Sequence, residues 1–426
     1  MFAARRKDAG TDLEATERGA RGGMRRAGSL SRAELPNRQD APAASPCRRG
    51  EQARYHDRRD RQLPTALGEV KFERAYYVCP QCGQGHAPRD RQLDIEGRSC
   101  SPGVRRMLAT VGGGTSFEKG REQMELLAGI EVTAKAVERH AEAVGADIEA
   151  RRQSEIARAK QLEPPAVAAP AVPVLYIEMD GTGVPMVRAE TAGRAGKNGE
   201  ARTREVELGC VFTQTATDEG GHAARDESST TYVGAIEAAE PFGLRLYTEA
   251  WRRGWSHAEK KVVLADGAVW IWNLAQQHFP GAVEIVDLYH ARQHLHEPCA
   301  MLFPHDEKLR KRSLARCLDR LNRGKIEALV KLIHQLPAVT EELRQFRATE
   351  AEYFTRNQER MRYPKFRGQG LFVGSGVIEA GCKTVVAQRL KQSGMFWTVR
   401  GANSILALRR CRLNRRFEDY WADRAA

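Results

Sequence analysis

The sequence has no apolar run approaching the roughly 18 residues of a membrane-crossing helix. Its N-terminus also lacks the apolar core of a secretory signal, so the expectation is a cytoplasmic protein with no membrane partner. Nine cysteines, an odd number scattered along the chain, do not make a disulfide framework. Residues 1–45 have little apolar periodicity and are rich in Arg, Ala, Gly and Ser, the composition of a disordered basic arm. Asp8, Asp12, Glu14 and Glu17 are too acidic for an organelle transit peptide. Strand signals are almost missing between about residue 295 and Tyr363, where leucines recur among Arg and Lys; an all-helical segment is expected there.

What is present in excess is positive charge. Lys+Arg number 68 against 55 Asp+Glu, a net +13 with a pI near 9.4, which favours a polyanionic partner such as nucleic acid. A chain of 426 residues suggests two or three domains, and 41% hydrophobic residues suffice for ordinary cores.

The first half carries two familiar local patterns. Ala66–Val78 alternates as a strand and feeds the knuckle Cys79-Pro-Gln-Cys82, half of a zinc ribbon. Upstream only Cys47 is available, with His56 and His86 as substitutes. Two readings therefore stand, a zinc site using Cys47, Cys79 and Cys82 or a degenerate knuckle without metal. Phe117–Ala128 and Val132–His140 are helical around Gly129-Ile130-Glu131, the helix-turn-helix pattern. Thr133, Lys135 and Arg139 then face DNA from the second helix, unless the pair is a plain bundle. Gln161–Pro173, rich in Pro and Ala, is a linker.

The stretch Val174-Leu-Tyr-Ile-Glu-Met-Asp180-Gly is an apolar strand that delivers a carboxylate to a glycine turn, ordinary turn chemistry on its own. Lys260–Ala265 repeats the device with Asp266-Gly267 and leads into a helix over 268–278. Strands are expected at 174–180, 184–190, 205–212 and 282–287, and helices around Thr231–Ala239 and from about Ser256. The order is three strands, helix, strand, helix, strand, an α/β fold with a mixed sheet. Gly193–Arg204 is a basic, glycine-rich tip, suited to phosphate or simply solvated.

Asp287-Leu-Tyr-His290 opens the long helical stretch. Asp287 reads as its N-cap, and His290 with His294 lie one turn apart, a metal pair or a structural one. A third carboxylate, Glu379, opens a helix after Gly374-Ser-Gly376. Lys383 shares its face and Arg389 lies nearby, cations for phosphates. Phe396-Trp397 either stacks on a base or fills the core, and an arginine-rich helix closes the chain. Two strand-end aspartates and a helical glutamate are the oxygen ligands that a pair of Mg²⁺ ions about 4 Å apart needs for in-line phosphoryl transfer.

These blocks in this order resemble the DDE transposases of bacterial insertion sequences, in particular the ISKra group, similar in layout to Mutator-like transposases. Met179-Asp180-Gly-Thr-Gly and Ala265-Asp266-Gly match the two aspartates, and Gly374-Ser-Gly-Val-Ile-Glu379-Ala-Gly-Cys-Lys383 the glutamate block. Arg389-Leu-Lys391-Gln-Ser-Gly-Met-Phe-Trp397 continues it, and Asp287-x-x-His290 resembles the Asp/Cys-x-x-His signature of those relatives.

The resemblance implies a ribonuclease H-like core over 174–294 and 371–426, interrupted by a helical insertion at 295–370. It also implies a zinc-ribbon-like and helix-turn-helix region, 46–160, that recognises terminal inverted repeats. The implied catalytic set is Asp180, Asp266 and Glu379 on Mg²⁺ or Mn²⁺, with His290 and Asp287 beside them. The implied DNA contacts are Lys135, Arg139, Lys383, Arg389, Lys391 and Trp397. A bacterial, nucleoid-associated homo-oligomer follows, acting on element ends and target DNA. The competing readings are a nuclease or resolvase without strand transfer, and a helix-turn-helix DNA-binding protein without enzymatic activity.

Overall fold

A computed structural model describes residues 42–161, 171–196 and 199–425. The chain divides into two compact units, the first reaching Gly145 and including Phe417–Ala426, the second Ala146–Arg416. Nearly all of the arm expected at 1–45, and the middle of the 161–173 linker, lie outside the described residues.

The first unit opens with an antiparallel sheet, β1 (Ala44–Pro46), β2 (Gln52–Thr65), β3 (Gly68–Val78) and β4 (Gly85–His86), in that order. Ala44 and Ser45, expected in the disordered arm, instead pair with Arg54 and Ala53 of β2. The sheet edge supplies partners for their backbone groups. Helices α1 (Pro88–Gln92), α2 (Pro102–Gly114), α3 (Phe117–Ala128) and the start of α4 (Ala134–Lys160) follow. The local rules are visible at their ends. Ser101 and Ser116 cap α2 and α3 by accepting from Val104 and Lys119 N–H, and Gly129 ends α3 in the left-handed conformation, φ 59°. Val104, Leu108, Met124, Ile130 and Val137 meet in one core. The C-terminal helix Phe417–Ala425 belongs to this unit, its Arg424 paired with Asp94 at 3.1 Å.

The second unit is built on β5 (Val174–Pro185), β6 (Thr203–Gln214), β7 (Thr231–Ala235), β8 (Lys260–Ala265) and β9 (Val283–Val286). Their order in the sheet is β7-β6-β5-β8-β9. The first three are antiparallel, and β5, β8 and β9 are parallel. α5 (Ala239–Arg252) and α6 (Val269–His278) make the crossovers that parallel strands require. The first six residues of β5 are all buried, as expected of a central strand covered on both faces.

Three local expectations are corrected, the helix expected from about Ser256 being only a 3₁₀ turn, Trp255–His257, ahead of β8. The helix expected around Thr231–Ala239 is the edge strand β7, with α5 starting only at Ala239; Thr, Tyr and Val fit a pleat, and pairing with β6 satisfies their backbone. The separate strand expected at 184–190 is the end of β5 followed by a single 3₁₀ turn, Arg188–Glu190.

The segment after β9 is helical: α7 (Leu288–Leu302), α8 (Glu307–Asn322), α9 (Ile326–His334), α10 (Glu341–Arg356) and α11 (Tyr363–Gly368). α12 (Gly376–Gly381) runs into a π-helical turn, Cys382–Ala387, and α13 (Val399–Leu413) closes the unit. The carbonyls of Thr384 and Val385 in that turn accept from the Arg409 guanidinium. Among the described residues no helix is long and apolar enough to cross a membrane.

Candidate active site and cysteine cluster

Asp180 and Asp266 are brought together by strand register. Leu264 of β8 stands opposite Glu178 of β5, and continuing that pairing two residues sets Asp266 beside Asp180. Burial, and then the neighbouring Asp266 charge, push the Asp180 carboxyl above its usual range; Cys382, which donates to its Oδ2 at 3.4 Å, opposes the shift. Asp266 turns sharply through Gly267, whose φ of +99° and missing side chain leave room for the Tyr353 ring. Tyr353 donates to the Asp266 carbonyl at 2.8 Å, and the Asp266 carboxylate accepts from Ala268 N–H.

Glu379 is exposed on α12, and two buried carboxyl groups hold the backbone that leads to it. Glu178 accepts from Ile378 N–H at 2.8 Å, and Asp287 accepts from Ser375 N–H at 2.5 Å. Burial pushes Glu178 up to about 8. Glu178 escaped the sequence reading, although a lone acid within the run Val174–Met179 was the available signal. The other Asp287 oxygen accepts from His290 N–H, capping α7. Asp287 is therefore corrected from the catalytic set to a tether, since both its oxygens are engaged by backbone and it is 1% exposed.

Among the described residues, the one group of ligand atoms all within 4.8 Å of one another is Cys47, Cys79 and Cys82. Glu379 lines a cleft with Tyr289, Gln293 and Arg367 that does not include Asp180 or Asp266. Like charges without a cation between them repel, which opposes closer approach. Cys382 links the two sides. It bonds to Asp180 and lies in the turn after Glu379, and burial together with both carboxylates raises its thiol.

His294 has both ring nitrogens engaged, Nδ1 with Glu350 at 2.8 Å and Nε2 with His290 Nε2 at 3.2 Å. Of the residues expected to touch DNA, Lys383 and Lys391 are exposed, and Lys391 donates to Thr182 Oγ1, two residues past Asp180. Arg389 and Trp397 are corrected. Arg389 is fully buried over the Trp397 ring, and Trp397, 6% exposed, donates to the Leu390 carbonyl. The exposed aromatic is Phe396, beside a groove with Arg188, Arg202 and Glu205.

In the first unit Lys135 and Arg139 are exposed on α4, with Lys135 paired to Glu138 at 2.8 Å. Thr133 spends its hydroxyl as a cap, accepting from Ala136 N–H. The cysteine cluster joins two turns of unequal length. Cys79 N–H bonds to the Gln84 carbonyl and Gly83 N–H to the Cys79 carbonyl; Cys47 N–H bonds to the Glu51 carbonyl and Gly50 N–H to the Cys47 carbonyl. Gly50 (φ 83°) thus plays the part of Gly83 (φ 68°), and the first turn is one residue shorter, missing the position that Cys82 fills. Backbone N–H groups of Cys82 and Gln81 hold the Cys79 thiol below its ordinary value. Three converging sulfurs suit a thiophilic ion such as zinc, with a fourth ligand still to be supplied.

The geometry defines a mixed α/β protein with acids at adjacent strand ends and a separate unit carrying three converging cysteines. A family model described as an uncharacterised protein family (UPF0236) matches residues 34–200. A protein of Streptococcus gallolyticus, described as a UPF0236 protein in the vanSb 3′ region, is 23% identical over 374 residues, covering 85% of this chain and 74% of that one. A solved structure, the Drosophila P element transposase strand transfer complex, aligns with 9% identity and a TM-score of 0.19. The alignment covers 59% of this chain and 65% of that one.

Proposed function

We propose that this protein is a DNA transposase that cuts element ends and joins the freed 3′-OH to target DNA by two-metal phosphoryl transfer. The observation that carries the reading is the placing of Asp180 and Asp266 at one level of neighbouring parallel strands, with the Glu379 segment tethered to the first of them. Three antiparallel strands followed by two helix-linked parallel ones suit a ribonuclease H-like core, and α7 to α11 suit its insertion.

The donors are all carboxylate oxygens, the ligands that Mg²⁺ or Mn²⁺ prefers, and the repulsion acting on Asp180 is what a divalent cation relieves. When bound by Asp180, Asp266 and Glu379, such ions supply the positive charge that stabilises a transferring phosphoryl group. Glu379 also lines a cleft with Tyr289, Gln293 and Arg367.

Lys391 and Lys383 present ammonium groups to flanking phosphates, and Phe396 offers a face to an unpaired base. Lys135 and Arg139 meet the terminal inverted repeats from α4, in a region that Cys47, Cys79 and Cys82 brace around zinc. Two ends of one element must be held at once, so the working form is a homo-oligomer.

The test is metal-dependent nicking and joining of labelled element-end DNA. Asp266→Ala is expected to abolish both while leaving DNA binding intact, and equal cutting by the two proteins would remove Asp266 from the mechanism. The exposed Lys135 and Arg139 on α4 favour one second reading, a DNA-binding protein without chemistry. Binding that persists without Mg²⁺, with no cutting under any condition, would establish it instead.

A further inference from the structure

The helical insertion contributes a carboxylate to the neighbourhood of the acidic site. Glu350 lies on α10 and is 7% exposed, and its Oε2 is 2.8 Å from Nδ1 of His294 on α7. Nε2 of His294 is 3.2 Å from Nε2 of His290, one turn earlier. The Tyr353 ring stacks on His294 with centroids 3.9 Å apart, and the same tyrosine donates to the Asp266 carbonyl at 2.8 Å. Tyr353 thus ties the histidine pair to the turn that carries the second aspartate.

With both rings neutral, hydrogen-bond logic assigns the protons. A carboxylate only accepts, so Nδ1 of His294 carries the proton. A neutral imidazole has one, so Nε2 of His294 accepts and Nε2 of His290 donates to it. What remains on His290 is Nδ1 with its lone pair.

We propose that Glu350, His294 and His290 form a hydrogen-bonded relay that holds His290 as its Nε2–H tautomer, leaving Nδ1 to orient the attacking hydroxyl by accepting its hydrogen bond. This rests on the transposase reading, in which that hydroxyl belongs to water in the cut and to the 3′ end in the joining. Glu350 and His294 are positioning residues; they act through His290. The arrangement follows the general pattern of a base oriented by a third group. It also accounts for a carboxylate buried within the insertion, since Glu350 in place of an apolar residue adds nothing to packing.

A dinuclear or histidine-bound metal is the rival account of two nitrogens 3.2 Å apart, and it predicts that both Nε2 atoms are unprotonated. Selective ¹⁵N labelling of histidine in the full chain, with long-range ¹H–¹⁵N correlation and assignment by His290→Gln and His294→Gln, reads each ring nitrogen. The expected result is His294 protonated at Nδ1 and His290 at Nε2. Protonation of His294 at Nε2, or of neither Nε2, overturns the proposal.

The second arm measures cutting of element-end DNA at saturating DNA. Glu350→Leu is expected to slow it about ten- to hundredfold with unchanged DNA affinity, and Glu350→Gln, which keeps an acceptor for Nδ1–H, to restore most of the rate. Equal rates for the two variants would also overturn it. If the wild-type chain cuts nothing, the transposase reading fails while the ring-nitrogen result still decides whether the relay exists.

Discussion

The second unit buries carboxylates in two places and treats them in opposite ways. Glu249, fully buried, is clasped by Arg416 at 2.7 Å and Arg152 at 3.2 Å, and Glu149 by Arg245 at 2.7 Å and Arg410 at 2.9 Å. Despite burial, these arginines hold Glu149 down to about 2 and Glu249 lower still. Around Asp180 the shifts run the other way. Burial drives Glu178 up to about 8 and Glu207 to about 7, and Asp180 also rises. Among the described residues no ion pair reaches Glu178, Asp180, Asp266 or Glu379. Where a carboxylate serves the architecture, this chain surrounds it with guanidinium groups. Where two strands end side by side, it leaves acids facing one another, the condition that a cation from outside can satisfy.

The strongest way to break this contrast is to neutralise one acid in each place. Glu249→Gln removes the charge that Arg416 and Arg152 clasp, leaving Arg152 only Glu155, and is expected to lower unfolding free energy by about 3–5 kcal/mol in urea titration. A loss of under ~1 kcal/mol would show that the arginine-clasped cluster is not structural.

The acid response is the next test. Glu149 has a folded-state pKa of about 2, below its ordinary 4.5, so its contribution is complete above pH 4.5 and disappears as pH falls toward 2. The melting temperature should drop across that window and drop less in Glu149→Gln; parallel curves would refute the assignment.

Adding Mg²⁺ sharpens the other side. At about a hundred times its dissociation constant it should stabilise the chain by about 2.7 kcal/mol, seen as a thermal shift that Asp180→Asn removes. An identical shift in both proteins would place the ion elsewhere. The smallest effect is expected for Glu178→Gln, within about 1 kcal/mol of wild type, because the amide oxygen still accepts from Ile378 N–H and no partner charge is stranded. A large loss there would mean that Glu178 is ionised and paired.

Much of this second unit could be read from local pattern. The apolar run into Asp180, the strand into Asp266 with helix α6 behind it, β9 and the helical insertion all carry their period within a few residues. Strand β7 could not be read so. Five residues are too few for a period, and its identity comes from Val211 and Cys210 opposite Thr231 and Tyr232, about twenty positions away. The same limit applies to depth. Arg389 and Lys391 are two residues apart and equally basic on paper, yet one is sealed over Trp397 and the other reaches Thr182 at the surface. Asp287 was legible as a helix cap, which its bond from His290 N–H bears out, but its tie to Ser375 and that of Glu178 to Ile378 reach backbone N–H groups far along the chain.

The uneven cysteine turns carry a consequence for the chemistry of the first unit. An ion seated on Cys47, Cys79 and Cys82 would keep one tetrahedral corner that this cluster does not close among the described residues, because the Cys47 turn is a residue short. That corner is open to water, to a small thiol or to a donor brought by another molecule, so the metal should exchange readily. Inserting a single cysteine between Arg49 and Gly50 would even the two turns and cage the ion, and Co²⁺ in the altered protein should show a four-thiolate absorption spectrum that added imidazole no longer changes.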